Sequence, residues 1–259
     1  MKAIVLTADR YRAVTEHMIL KYEEVWPDHP FVFRIPYQAN GGANAARVEY
    51  IRSRGSTPAE IPGMILDLIS DLPDDELIYW CADDKYPIRL LVEEIESLLR
   101  FARSNDALSG LLFCRTRALL GEDALLPHRL STLEGETLIE RRAWNQIWIH
   151  QLLRTRVLRN FFSNLPSAEI ASAVSMDSLK DRMRKPVDLR LFVTERNFAV
   201  FGESTHGGKI TRNCLESMRQ TGIVIPEWFQ QDNGETIILG RLPPDKRSLL
   251  GRVRKRLRM

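Results

Sequence analysis

The chain has 259 residues, 44% hydrophobic and 27% charged, with a net charge of +3, the profile of a soluble globular protein able to bury a large core. No apolar run reaches the ~20 residues that a membrane-crossing helix needs, and the opening "MKAIVLTADRY" turns polar too soon for a signal peptide, so a cytoplasmic protein is expected. Cys81, Cys114 and Cys214 are widely spaced and odd in number, which excludes a disulfide framework or zinc knuckle and fits reduced core thiols.

Charge is unevenly spread. Seven of the 37 basic residues fall in the last 14 positions, which contain no acid, leaving 30 against 34 acids, a net −4, for the rest. A mildly acidic body argues against a nucleic-acid-binding protein, the non-enzymatic alternative that would use the basic tail.

In chain order, "AIVLTA" (3–8) reads as a buried parallel strand and "RAVTEHMILKYEEVW" as a helix ended by Pro27. "FVFRI" predicts a second strand, followed by a loop over 37–54 and a helix over 60–71. "LIYWCA" (77–82) is a third strand, "IRLLVEEIESLLRFARS" an amphipathic helix and "ALSGLLFCRT" a fourth strand. This alternation predicts an α/β fold with a mostly parallel sheet covered on both faces. Further on, "TLEGETLIERR" predicts a strand and "WNQIWIHQLLRTRVLRNFF" a helix placing Trp144 and Trp148 on one face. "LRLFVTERNFAVFGE" reads as a strand or hairpin, "TRNCLESMRQTG" as a helix closed by Gly222, and "GETIILGRL" as a late strand. Residues 166–186 show no clear pattern.

Asp83 and Asp84 end the apolar third strand. Adjacent carboxylates repel, so they require solvent or a cation. In an open α/β sheet ligands sit beyond the carboxyl ends of strands. Asp83, Asp84 and the segment Thr7–Tyr11 after the first strand are therefore expected in one crevice, with Mg²⁺ or Mn²⁺ on the acids. The plainer alternative is that the acids cap a helix beginning near Pro87.

A second cluster, "FGESTHGGKITRN" (201–213), places His206, Gly207, Gly208 and Lys209 before a helix start, a setting suited to phosphate. Its spacing fails the P-loop pattern, because Glu203 stands where the first glycine belongs and Ile210 follows the lysine.

The junction "ADDKYP" resembles the acidic motif of GT-A fold glycosyltransferases, and the surrounding "LISDLPDDELIYWCADDKYP" is similar to bacterial surface-polysaccharide transferases. "WNQIWIHQLLRTRVL" is similar to their acceptor-site helix. The resemblance spans residues 1–230 and implies a Rossmann-like, mixed and mostly parallel sheet. It implies a nucleoside-diphosphate sugar as donor and a glycan or lipid-linked acceptor. By this resemblance Asp84 binds the metal, and Asp83 is a second ligand or a donor contact. His206 would be a late metal ligand and Lys209 a diphosphate contact. Thr7, Asp9 and Tyr11 would meet the nucleoside and Arg10 a phosphate, with Gly41, Gly42, Arg47, Arg52 and Arg54 in a loop over the diphosphate. Glu169 and Asp177 are the candidate acceptor bases, and Trp144 and Trp148 would stack on a sugar or simply fill the core.

The expected organisation is a domain over 1–244, with a donor half (1–115) and an acceptor half (116–244), and a tail over 245–259. Leu249, Leu250, Val253 and Leu257 form an apolar stripe among arginines, the pattern of a helix lying on an anionic membrane face. The enzymatic alternative is a sugar-1-phosphate nucleotidyltransferase, but "LTADRYRA" lacks the glycine-rich signature expected after its first strand.

Overall fold

A computed structural model describes residues 1–39, 41–42, 44–53, 55, 57–116, 122–229 and 234–242. The tail expected to form a basic membrane-facing helix, and Arg54, lie outside them. Among the described residues no helix is long and apolar enough to cross a membrane.

The first half runs β1 (Lys2–Leu6), α1 (Arg12–Val25), β2 (Val32–Tyr37), β3 (Val48–Arg52), α2 (Ile61–Leu68), β4 (Leu77–Ala82), β5 (Lys85–Leu90), α3 (Val92–Ser104) and β6 (Gly110–Leu112). The second half continues through β7 (Leu125–Ser131), β8 (Thr137–Arg141), β9 (Gln151–Arg154), α4 (Thr155–Asn164), α5 (Ala173–Arg182) and β10 (Leu191–Thr194). It ends with β11 (Ala199–Glu203), β12 (Thr205–His206), β13 (Lys209–Ile210), α6 (Arg212–Thr221) and β14 (Ile238–Leu239).

Among the described residues the main sheet has the order β3-β2-β1-β4-β9-β6-β10-β8-β7. β1, β2, β3 and β4 are parallel neighbours, as are β6 and β10, whereas β9 and β8 run against the strands beside them. The sheet is thus mixed and mostly parallel, as expected. β4 is buried along its whole length because both faces are covered, which explains its unbroken apolar run. Alternate residues feed two cores: Leu77, Tyr79 and Cys81 pack with Met18, Tyr22 and Leu98, while Ile78 and Trp80 pack with Ile65, Phe161 and Met176. Each such side chain contributes roughly 1.5–3 kcal/mol by leaving water. At Gly110 a Cβ would stand 2.6 Å from Leu153 Cδ2 and 2.8 Å from Leu191 Cδ2, so the strand between β9 and β10 has no space for a side chain.

A small second sheet, β14-β11-β5, lies on the face that also carries α1, α3 and α6, and α2, α4 and α5 cover the other. All three cysteines are buried and unpaired, as the sequence implied. α6 starts where the Thr211 side chain accepts from the Cys214 N–H and ends at Gly222, whose φ of 72° closes it.

Several expectations fail. The loop expected over 37–54 contains strand β3. The long helix over 144–162 is instead a turn region, strand β9 and the shorter helix α4. Trp144 and Trp148 therefore share no helix face; Trp144 is buried against Phe161, its ring centroid 5.0 Å away. The amphipathic helix after the acid pair begins at Val92, and the residues before it form β5, so Asp83 and Asp84 cap no helix. β10 and β11 belong to different sheets and form no hairpin.

Candidate functional site at the carboxyl edge of the sheet

Leu6 of β1 pairs in register with Ala82 of β4, so the two strand ends lie side by side. The Asp83 N–H donates to the Leu6 carbonyl at 3.1 Å, and the chain reverses through Asp83 and Asp84 into β5. The Ser204 N–H donates to the Asp84 carbonyl at 2.6 Å, bringing the hairpin β12–β13 to the same turn. The acid pair therefore lies beside the end of β1 and Thr7, because β1 and β4 pair in parallel.

The two carboxylates are unequally satisfied. Asp84 Oδ2 accepts from Lys85 Nζ at 2.7 Å. Asp84 Oδ1 and Asp83 Oδ2 are enclosed and without hydrogen-bond partners. Burial pushes the Asp83 carboxyl up to about 7; the Asp84 charge adds to this, and the Thr7 hydroxyl and Lys85 oppose it. Lys85 itself is buried, with only 6% of its surface exposed.

Beneath the turn, His150 Nε2 lies 2.8 Å from the Ala82 carbonyl and Nδ1 lies 2.7 Å from the Tyr22 hydroxyl, which in turn meets the Tyr79 hydroxyl at 2.9 Å. Burial drives the His150 pKa down to about 4, so the ring is neutral at physiological pH. The loop leading to it turns at Ala143 (φ 49°) and Gln146 (φ 61°), left-handed conformations costly for residues other than glycine. It is held by Gln151 Nε2, which donates to the carbonyls of Gln146, Ile147 and Ile149, and by buried Arg141, which reaches the Asn145 carbonyl and Gln151 Oε1.

The predicted site residues separate into two groups. Thr7 is buried beside the turn, its hydroxyl 2.7 Å from that of Thr15. Asp9 is a structural clamp: its carboxylate accepts from the Gln38 and Ala39 N–H groups and from Arg12, joining the ends of β1 and β2. Arg10 is exposed and stacks 4.6 Å over the Trp228 ring, while Tyr11 packs edge-on to Trp228 and against Phe229. Arg52 is exposed at the carboxyl end of β3, opposite Tyr37.

Arg47 lies at the other end of the sheet, just before β3 and donating to the Pro27 carbonyl, because β3 runs parallel to β2. Gly41 and Gly42 lie against the rings of Tyr37 and Tyr50, so close that a Cβ on either would collide with them.

His206 and Lys209 are exposed on a tight hairpin turned by Gly207 (φ 56°) and Gly208 (φ 77°). His206 faces Glu203 at 3.5 Å. Among the described residues no group of three or more His, Cys, Asp or Glu side chains is arranged to hold a metal, so His206 does not complete a ligand set with Asp83 and Asp84. The acid pair alone still fits a hard divalent cation, since its two enclosed oxygens are the donors such ions take.

The candidate bases lie on the layer of α5. Asp177 accepts from Trp148 Nε1 at 2.8 Å, with Lys180 3.6 Å away, and Glu169 pairs with Arg182 at 2.7 Å. Neither shares a hydrogen bond or ion pair with the acid turn.

No family model matches the chain, and no curated protein does. Among solved structures it is similar to the galactosyltransferase LgtC (13% identity, TM-score 0.39, covering 73% of this chain and 68% of that one). It is similar also to S. aureus TarS 1-349 (12%, 0.44, 76% and 59%). A third is the Francisella tularensis 2-C-methyl-D-erythritol 4-phosphate cytidylyltransferase IspD (12%, 0.41, 85% and 97%). Overlaps this loose decide nothing about the chemistry, which rests on the residues.

Sequence reasoning missed Lys85, His150, Ser204 and Trp228. Lys85 stood inside the quoted motif, but its role depends on β5 following at once. His150 gave one signal, a lone histidine amid apolar residues in "WIHQLL".

Proposed function

We propose that the chain is a glycosyltransferase using a nucleoside-diphosphate sugar, with Mn²⁺ or Mg²⁺, to modify a hydroxyl of a glycan or lipid-linked acceptor in surface polysaccharide synthesis. The observation that carries this reading is the pair of enclosed, unpartnered oxygens, Asp83 Oδ2 and Asp84 Oδ1, at the end of a central strand. Buried anionic oxygens are costly until a cation or a hydrogen-bond donor meets them. Their place beyond the carboxyl ends of β1 and β4 is where α/β sheets hold nucleotides.

Asp84 and Asp83 would hold the ion, which when bound supplies charge neutralisation of the diphosphate leaving group. Arg10, Tyr11 and Trp228 would offer aromatic and cationic surface to a nucleobase, and Arg52 and Lys209 would supply positive charge for phosphate. Residues 246–259 would hold the enzyme on the anionic inner face of the cell membrane.

The test is thermal-shift and donor-hydrolysis screening across nucleotide sugars, with and without Mn²⁺. Metal-dependent stabilisation by one sugar nucleotide, lost in Asp84→Ala with the fold retained, is the expected result. Full turnover by Asp84→Ala would refute the reading, and pyrophosphate release from a nucleoside triphosphate and a sugar phosphate would redirect it to nucleotidyl transfer.

A further inference from the structure

Lys85 is unusual in position. Its ammonium group is buried, 2.7 Å from Asp84 Oδ2, and its charge is felt by Asp83 and His150 as well. It is turned to the acid pair and not to solvent. On the paired strand Glu203 stands opposite in register, but Glu203 faces His206. The acid turn therefore carries its own counter-charge on one of its four carboxylate oxygens, with two others enclosed and unpartnered.

We infer that Lys85 is a built-in competitor for the divalent cation, weakening its binding to the free protein so that the ion enters together with a diphosphate. The inference rests on the reading of Asp83 and Asp84 as cation ligands. A nearby ammonium repels an incoming dication and occupies an oxygen the ion would use. An arriving diphosphate gives the ammonium an alternative anionic partner and adds negative charge around the ion. Cation and diphosphate then bind cooperatively, each raising the affinity for the other by the same factor.

The experiment measures Mn²⁺ binding to the full chain by loss of the free-ion paramagnetic resonance signal, with and without inorganic pyrophosphate. Lys85→Met and Lys85→Gln should tighten binding of Mn²⁺ alone on the order of tenfold, and Lys85→Arg, which keeps the charge, should not. Pyrophosphate should tighten Mn²⁺ binding more in the wild type than in either neutral variant. Adding Asp84→Asn to Lys85→Met should abolish the gain.

Equal or weaker Mn²⁺ binding by the neutral variants, or a gain from pyrophosphate as large in them as in the wild type, overturns the inference. So does a gain that survives Asp84→Asn, or loss of the fold in both neutral variants. If the wild type binds Mn²⁺ only with pyrophosphate and the variants do not differ from it, the Lys85 inference fails and the acid-pair reading stands. Absence of Mn²⁺ binding in every protein, with and without pyrophosphate, removes both.

Discussion

His150 Nε2 donates to the Ala82 carbonyl across 2.8 Å, joining two residues 68 apart in the chain through a fully buried ring. A carbonyl only accepts, so the proton is on Nε2 and Nδ1 must accept from the Tyr22 hydroxyl; the Tyr22 oxygen then takes the Tyr79 proton. Every donor direction in the chain is thereby determined, and it ends at the residue preceding the acid pair.

His150→Phe keeps an aromatic ring but leaves the Ala82 carbonyl without this donor and the Tyr22 O–H without its acceptor. Each orphaned buried group costs about 1–3 kcal/mol. The urea midpoint should fall accordingly, and Tyr79→Phe, which removes only the terminal donor, should cost less. Equal losses would mean that the network does not run in this direction.

Two histidines and one aspartate predict opposite pH effects. His150 and His17 are each held near a pKa of about 4 by burial, against ~6.5 when unfolded. Their contribution is full above pH ~6.5 and is lost as the pH falls toward 4, because only the unfolded chain gains the protons there. Asp83, raised to about 7, behaves in reverse: its contribution is full below the unfolded carboxylate pKa and is lost as the pH rises through 7. Asp83→Asn should therefore raise Tm at pH 8 and leave it nearly unchanged at pH 4, measured by differential scanning fluorimetry. A rise of the same size at both pH values would show that charge burial is not the cause.

The loop before β9 tests backbone strain separately from polar satisfaction. Gln146→Gly relieves a φ of 61° and should be neutral or stabilising by about 0.5–1 kcal/mol. Gln151→Leu strips three backbone carbonyls of a donor and buried Arg141 of one of its two acceptors, and should destabilise by several kcal/mol, at about 1–3 kcal/mol per buried group left unsatisfied. Chemical denaturation should show a lowered midpoint for Gln151→Leu and an equal or higher one for Gln146→Gly.

Trp228 is 43% exposed and covered on one side by Arg10. Trp228→Ala should leave Tm within a few degrees of the wild type but weaken nucleotide binding, since stacking a base on an aromatic ring contributes about 1–3 kcal/mol. Titration calorimetry with the donor nucleotide gives the answer, and unchanged affinity would remove this ring from the site.

Much of the molecule was legible in its sequence because hydrophobic period and strand ends are local properties. β4 and α6, with its closing Gly222, were readable from a few neighbouring residues, and the parallel order made the adjacency of the β1 and β4 ends foreseeable. Local pattern failed wherever a distant partner overruled it. "WNQIWIHQLLRTRVL" has helical apolar spacing, yet β4 and β6 both present open edges that β9 fills, and the seven residue pairs that β9 makes with them cannot be foreseen from periodicity. The residues after Asp84 became a strand because β11, more than a hundred positions away, pairs with them. The acids themselves were evident from the chain. Which of their oxygens meets Lys85, which stay enclosed without a partner, and that His206 stands apart were settled by packing, because burial and hydrogen-bond geometry are properties of the whole fold.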